Sequence, residues 1–73
     1  MNSYACYHKP TKTWVYFKNN KKEESLICLC LKVDATAFST KEEAEDTLKR
    51  SSFNDIPNYG FDNFLEFEVK KYE

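Results

Sequence analysis

At 73 residues the chain makes one domain, over 1–73, and buries only about 60% of its unfolded surface, so its core is small. With 41% hydrophobic and 32% charged residues, one Gly and two Pro, it falls outside the disordered and low-complexity classes. A net charge of −1 conceals a polarity: residues 1–22 hold Lys9, Lys12, Lys18, Lys21 and Lys22 and no acid, while the remainder holds all 12 acids. A sheet can fold the two halves together and cancel this, or leave it as a binding surface.

Ser3 to His8 alternates, with Tyr4, Cys6 and His8 on one side and Ala5 and Tyr7 on the other, and reads as a first strand. His8-Lys9-Pro10-Thr11-Lys12 is a polar break in which Pro presets the second residue of a turn. Thr13 to Lys18 is rich in aromatic and β-branched side chains and reads as the return strand of a hairpin. Trp14, Tyr16 and Lys18 share one face of it and Val15 and Phe17 the other. Asn19 to Glu24 is expected to turn the chain again.

The run Leu26 to Val33 is the one stretch with both alternating faces apolar, and the rest of the chain is expected to pack around it as a strand. Leu26, Cys28 and Cys30 would point one way, and Ile27, Leu29, Leu31 and Val33 the other. Thr40-Lys41-Glu42-Glu43 has capping-box spacing, with Ser39 and Glu42 offering the same pairing one residue earlier. Ala44, Thr47 and Leu48 then form the apolar stripe of one helix, acidic at its start and basic at its end.

Ser51 to Asn63 reads as a loop, where Pro57 blocks ladder bonding and Asn58-Tyr59-Gly60 offers positive φ. Phe64 to Tyr72 alternates again, with Leu65, Phe67 and Val69 toward a core and Glu66, Glu68, Lys70 and Tyr72 toward water. The order β-β-β-α-β predicts an α+β, two-layer fold. Its sheet would be four-stranded and mostly antiparallel, with one helix on one face and the last strand parallel to the third.

For chemistry, Cys6-x-His8 and Cys28-x-Cys30 are zinc-ligand types. Ligands two apart on a strand sit roughly 6.6 Å apart along its axis, however, and structural zinc sites collect theirs from tight turns. A meander would also keep the first and third strands from being neighbours, so no metal site is assigned. Cysteine catalysis would need the one histidine plus an orienting third group and an oxyanion hole, neither of which is legible. No catalytic residue and no cofactor is assigned, and the acids Glu42, Glu43, Glu45 and Asp46 read as a solvated helix face.

Twelve aromatic residues, 16% of the chain, are more ring surface than a small core hides. Tyr7, Trp14 and Tyr16, with Lys12 and Lys18 between and beside them, are the candidate partner-binding residues. Such a set serves either a protein interface or a nucleic-acid platform. A homodimer is one way to complete burial of the Leu26/Cys28/Cys30 and Trp14/Tyr16 faces. An odd cysteine count and the absence of an apolar leader or of roughly 18 consecutive apolar residues imply a cytoplasmic protein with no membrane span.

The stretch Ala35-Thr36-Ala37-Phe38-Ser39-Thr40-Lys41-Glu42-Glu43-Ala44, followed by Leu48 and an acidic alternating C-terminal strand, resembles a layout of small phage-encoded proteins. In these, a strand leads through Ala-x-x-Phe-Ser/Thr into a Glu-Glu-Ala helix. The resemblance covers the second half of the chain and brings no site residues with it. It implies a phage origin, residence in host cytoplasm, and action by binding a host protein, as in host-takeover factors and anti-CRISPR-like inhibitors. A small nucleic-acid-binding protein using the aromatic, lysine-rich N-terminal hairpin is the alternative.

Overall fold

The computed structural model describes residues 3–19 and 25–72. The turn expected at 19–24, with Lys21 and Lys22, lies largely outside the described residues. The fold is α+β, with strands β1 (Tyr4–His8), β2 (Thr13–Asn19), β3 (Ser25–Cys30), β4 (Ser51–Ser52) and β5 (Phe67–Lys71) and helices α1 (Lys41–Lys49) and α2 (Tyr59–Asp62). The five strands form one mixed sheet in the order β4-β3-β2-β1-β5. No helix among the described residues is long and apolar enough to cross a membrane.

The β1–β2 hairpin follows from its turn chemistry. The Lys12 N–H closes the turn onto the Lys9 carbonyl at 3.3 Å, and Pro10 sits where the missing donor costs nothing. Lys12 takes the left-handed conformation, φ 55°, which a branch-free side chain tolerates at some cost. β2 and β3 then pair antiparallel over their full length, from Trp14↔Cys30 to Asn19↔Ser25.

The β1 and β2 strands stay paired only at Tyr7↔Trp14 and His8↔Thr13. Beyond that they part, and the chain after β3 fills the gap. Thr36 donates its N–H to the Val15 carbonyl at 3.2 Å and its hydroxyl accepts from the Phe17 N–H at 2.9 Å. Phe38 exchanges both backbone bonds with Tyr4 at 2.9 and 2.7 Å. A splayed pair of buried strands would otherwise strand those polar groups, and this segment satisfies them.

Before reaching the gap, the chain runs as a strap through a 3-10 turn at Lys32–Asp34. Leu31 and Val33 therefore leave the strand and are 73% and 81% exposed, which corrects their expected place on the core face. The strand ends at Cys30 because the next backbone bonds close the 3-10 turn, from Asp34 N–H to the Leu31 carbonyl at 3.0 Å and from Ala35 N–H to the Lys32 carbonyl at 3.1 Å.

Past the gap, α1 begins where expected. The Thr40 hydroxyl accepts from the Glu43 N–H at 3.1 Å, and Ala44 and Leu48 are fully buried. They pack with Cys6, Val15, Phe17, Ile27 and Phe67, flanked by Leu29, Phe38, Phe53, Tyr59, Phe64 and Val69. Val15 and Phe17 thus face the helix, and Trp14 and Tyr16 face away from it.

The expected parallel strand after the helix exists, but it is β4, pairing Ser25↔Ser51 and Leu26↔Ser52. The strand expected to be parallel to the third lies instead on the far side of the sheet as β5, antiparallel to β1 from Tyr4↔Lys71 to His8↔Phe67. The helical crossover is completed by the two residues of β4, parallel to β3, and the 51–66 segment carries the chain on to the opposite edge of the sheet. Five strands and a second helix replace the expected four and one.

That 51–66 segment is also more structured than a loop. Phe53 and Ile56 bridge each other around Asn54 and Asp55, both left-handed, and Asn58, φ 57°, opens α2. Positive φ falls on Asn58, and Gly60 serves a different need: its bare Cα lies against the Leu48 backbone, where a Cβ would come within 2.7 Å of the carbonyl carbon and overlap the oxygen. A second 3-10 turn, Phe64–Glu66, leads into β5, so Leu65 falls outside the strand and is 87% exposed rather than on the core face.

Candidate functional site: the open face of the sheet

The sheet face opposite α1 collects every open-face side chain of β1, β2, β3 and β5. Tyr7 is opposite Trp14 on one side and Glu68 on the other, and Trp14, Tyr16 and Lys18 are opposite Cys30, Cys28 and Leu26. Alternation along paired strands therefore places Tyr7, Trp14, Tyr16 and Lys18 together. Lys12 is exposed in the turn at the end of this surface.

Three rings interlock there. Trp14 stands edge to face with Tyr7 at 5.3 Å and with Tyr72 at 6.1 Å between centroids. Lys70 Nζ lies 4.3 Å above the Tyr7 ring and Lys32 Nζ 5.5 Å above that of Trp14, each worth about 0.5–1 kcal/mol at an accessible site. The Tyr72 hydroxyl donates to the Lys32 carbonyl at 2.6 Å, tying β5 to the strap across Trp14. Trp14 is consequently half-buried, while Tyr16, farther along β2, is 44% exposed.

Tyr72, Lys70 and Lys32 are site residues that the sequence reading did not name. The first two were legible as the water-facing positions of the last strand. What was missing was the neighbour, because nothing local in Phe67–Lys71 says that it pairs with β1. Lys32 was hidden by the expectation that β3 runs on to Val33.

Charge on this face is mostly positive: Lys18, Lys32 and Lys70 with Lys12 at its end, against Glu68 and the strap's Asp34. The acids of α1 lie in the other layer. Among the described residues the one ion-pair contact is His8 Nε2 to Glu66 Oε2 at 3.3 Å, so the lysines of the open face are not neutralised by direct carboxylate contacts.

The cysteines and histidine divide between the layers. Cys6 is fully buried on the helix side, its Sγ 3.8 Å from the Ala44 carbonyl oxygen. Burial, aided by the charge of Glu45, pushes its thiol from 9.0 up to about 12. Cys28 and Cys30 are half-buried on the open face, and burial, with Asp34 and Cys28 adding to it, also raises Cys30. His8 is on the helix side beside Phe67, ring centroids 4.8 Å apart. The two ligand pairs considered for zinc therefore lie on opposite faces of the sheet.

His8 does have an orienting group that the sequence did not disclose. The Glu66 carboxylate only accepts, so Nε2 donates to it at 3.3 Å, and Nδ1 lies 2.7 Å from Thr11 Oγ1. The Thr11 and Thr13 hydroxyls share a hydrogen bond at 2.6 Å, and the Tyr59 hydroxyl donates to Glu66 at 3.2 Å. Burial and the Glu66 carboxylate raise the Tyr59 phenol. The network clasps the β1–β2 turn to the segment preceding β5.

Comparison with protein-family models, curated proteins and solved structures found no match. The functional reading therefore rests on the geometry of this chain.

Proposed function

We propose that this chain is a non-enzymatic docking module whose open sheet face, centred on Trp14 and Tyr16 and bordered by Tyr7, Lys12 and Lys18, binds an acidic surface of another protein. Its setting, suggested by the resemblance around Ala35–Ala44, is a phage-encoded inhibitor or modulator of a host protein, acting in the host cytoplasm. The observation carrying the reading is the coincidence on one face of exposed Tyr16 (44%), the strap residues Leu31 and Val33, and lysines with no carboxylate partner among the described residues. Interface centres favour aromatic anchors, and a lysine border speeds encounter with an acidic partner while disfavouring a second copy of the same face.

Nucleic-acid binding is the alternative for the same residues. Stacking platforms present free ring faces to the bases, whereas the Trp14 ring is engaged by Tyr7, Tyr72 and Lys32. This favours protein over nucleic acid.

The test is affinity capture from bacterial lysate with the native chain and with Tyr16→Ala/Lys18→Glu, each with and without nuclease. Both substituted positions are exposed, so the fold is expected to survive, which circular dichroism checks. A protein retained by the native chain, insensitive to nuclease and lost with the variant, supports the reading. Capture that disappears with nuclease transfers the face to nucleic acid, and capture unaffected by the substitutions removes the face from consideration.

A further inference from the structure

The β5 strand closes one side of the sheet, and its outward half follows from its hydrogen bonds to β1. Tyr72 donates its N–H to the Ser3 carbonyl at 2.8 Å and Lys9 donates to the Glu66 carbonyl at 2.9 Å. In an antiparallel ladder, bonded positions recur every second residue. Glu66, Glu68, Lys70 and Tyr72 therefore face β1 with their backbone groups, and Val69 and Lys71 turn N–H and C=O outward, as Phe67 does its C=O. The Phe67 N–H is already used, closing the preceding 3-10 turn onto the Phe64 carbonyl; no other turn or loop hydrogen bond among the described residues reaches 67–71.

An open row of this kind is a template for another strand unless something blocks it. The opposite side of the sheet is blunted: β4 has two residues, both buried, and the Ser51 hydroxyl donates to the Thr47 carbonyl within the same chain. β3 beyond Leu26 offers Ile27–Cys30, which carry no charge to set a register or select a partner. On β5 the charges are arranged as Glu68-Val69-Lys70 about a central apolar residue. Turned by a two-fold axis through Val69, the pattern is complementary to itself.

We propose that β5 pairs with β5 of a second copy of this chain, antiparallel and centred on Val69, to give one continuous sheet across a two-fold dimer. The register opposes Glu68 to the second copy's Lys70 and Lys70 to its Glu68, on the open face. These are non-hydrogen-bonded positions, where side chains approach most closely. The Val69 N–H and C=O then bond to Val69 of the second copy and the Lys71 N–H to its Phe67 C=O, so the spare backbone groups and the charges call for the same register. On the core face Val69 meets its own copy and the Lys71 stem lies along Phe67. A two-fold contact of one patch with itself is the isologous arrangement that closes without propagating. It leaves Trp14 and Tyr16 uncovered, while Lys70, which lies over the Tyr7 ring, takes part in both surfaces.

Sedimentation velocity of the native chain from 1 to several hundred micromolar tests it, alongside Glu68→Lys, Lys70→Glu and the double reversal. The native chain should pass from monomer to dimer with concentration. Each single reversal opposes like charges twice and should weaken the dimer at least tenfold, and Glu68→Lys/Lys70→Glu should restore it. Amide exchange adds a readout independent of the variants: Val69 and Lys71 should gain protection with concentration, while Glu68 and Lys70 are protected throughout. A native chain that stays monomeric, single reversals without effect, a folded double variant no tighter than the singles, or concentration-independent exchange at Val69 and Lys71 overturns the proposal.

Discussion

Replacing Gly60 with Ala sets two effects against each other, and the structure decides between them. Gly60 lies in α2 with no positive φ, so on helix preference alone Ala should stabilise by up to about 1 kcal/mol. The space tells otherwise. A Cβ there would overlap the Leu48 carbonyl oxygen and stand 2.7 Å from its carbon, and both belong to the last turn of α1, whose side chain at Leu48 is fully buried. No side-chain rotation relieves this, and α2 must move off α1. Overpacking costs typically 1–3 kcal/mol, and displacing α2 also loosens Tyr59 and Phe53, whose rings pack at 5.2 Å. We expect a net loss of about 3 kcal/mol, a large part of the roughly 4–11 kcal/mol a domain of this size has. In urea, at a slope near 1 kcal/mol/M, the midpoint should fall by about 3 M or the variant should be unfolded outright. An unchanged or higher midpoint would refute the packing of α2 on α1.

Other consequences follow from burial and from the cap. Cys6 has its thiol raised from 9.0 to about 12, so the folded state holds the proton longer than the unfolded one. The stability this represents is present below pH 9 and should be lost at about 1.4 kcal/mol per unit as pH climbs through that window. Cys6→Ala should flatten the slope measured by urea unfolding between pH 8.5 and 10.5, and an identical slope would contradict the buried thiol. Thr40→Ala removes the acceptor for the Glu43 N–H and should cost about 1 kcal/mol by thermal or urea unfolding; no change would mean that Ser39 takes over the cap. Leu48→Ala should cost about 2–5 kcal/mol as a core cavity, whereas Leu65→Ala, at a side chain 87% exposed, should stay within about 0.5 kcal/mol. Equal effects at Leu48 and Leu65 would return Leu65 to the core strand.

What could be read from the sequence was set by neighbours close along the chain. Alternation put Val15 and Phe17 on one face and Trp14 and Tyr16 on the other, and the Thr40–Glu43 spacing located the start of α1. What could not be read depended on segments brought from a distance. Leu31 and Val33 continue the apolar alternation of β3, but the chain must leave the ladder at Cys30 so that Thr36 and Phe38 can fill the parting between β1 and β2. Leu65 keeps the period of β5 yet sits in a 3-10 turn, because periodicity does not mark where pairing begins. The placement of β5 beside β1 added Lys70 and Tyr72 to the Tyr7–Trp14 pair, and no local signal encodes that neighbour. Gly60 looked like a turn residue because sequence shows backbone freedom and close approach alike as the absence of a side chain.

The open face is tested most directly by placing a photo-crosslinking amino acid, benzoylphenylalanine, at position 16 or at position 46 and irradiating host cells that express each chain. Tyr16 is on the open face, and Asp46 is exposed on α1 in the opposite layer. The account predicts a nuclease-resistant protein adduct from position 16 and none of the same mass from position 46. The same adduct from position 46 with none from position 16 would contradict it, as would an adduct at position 16 that nuclease removes.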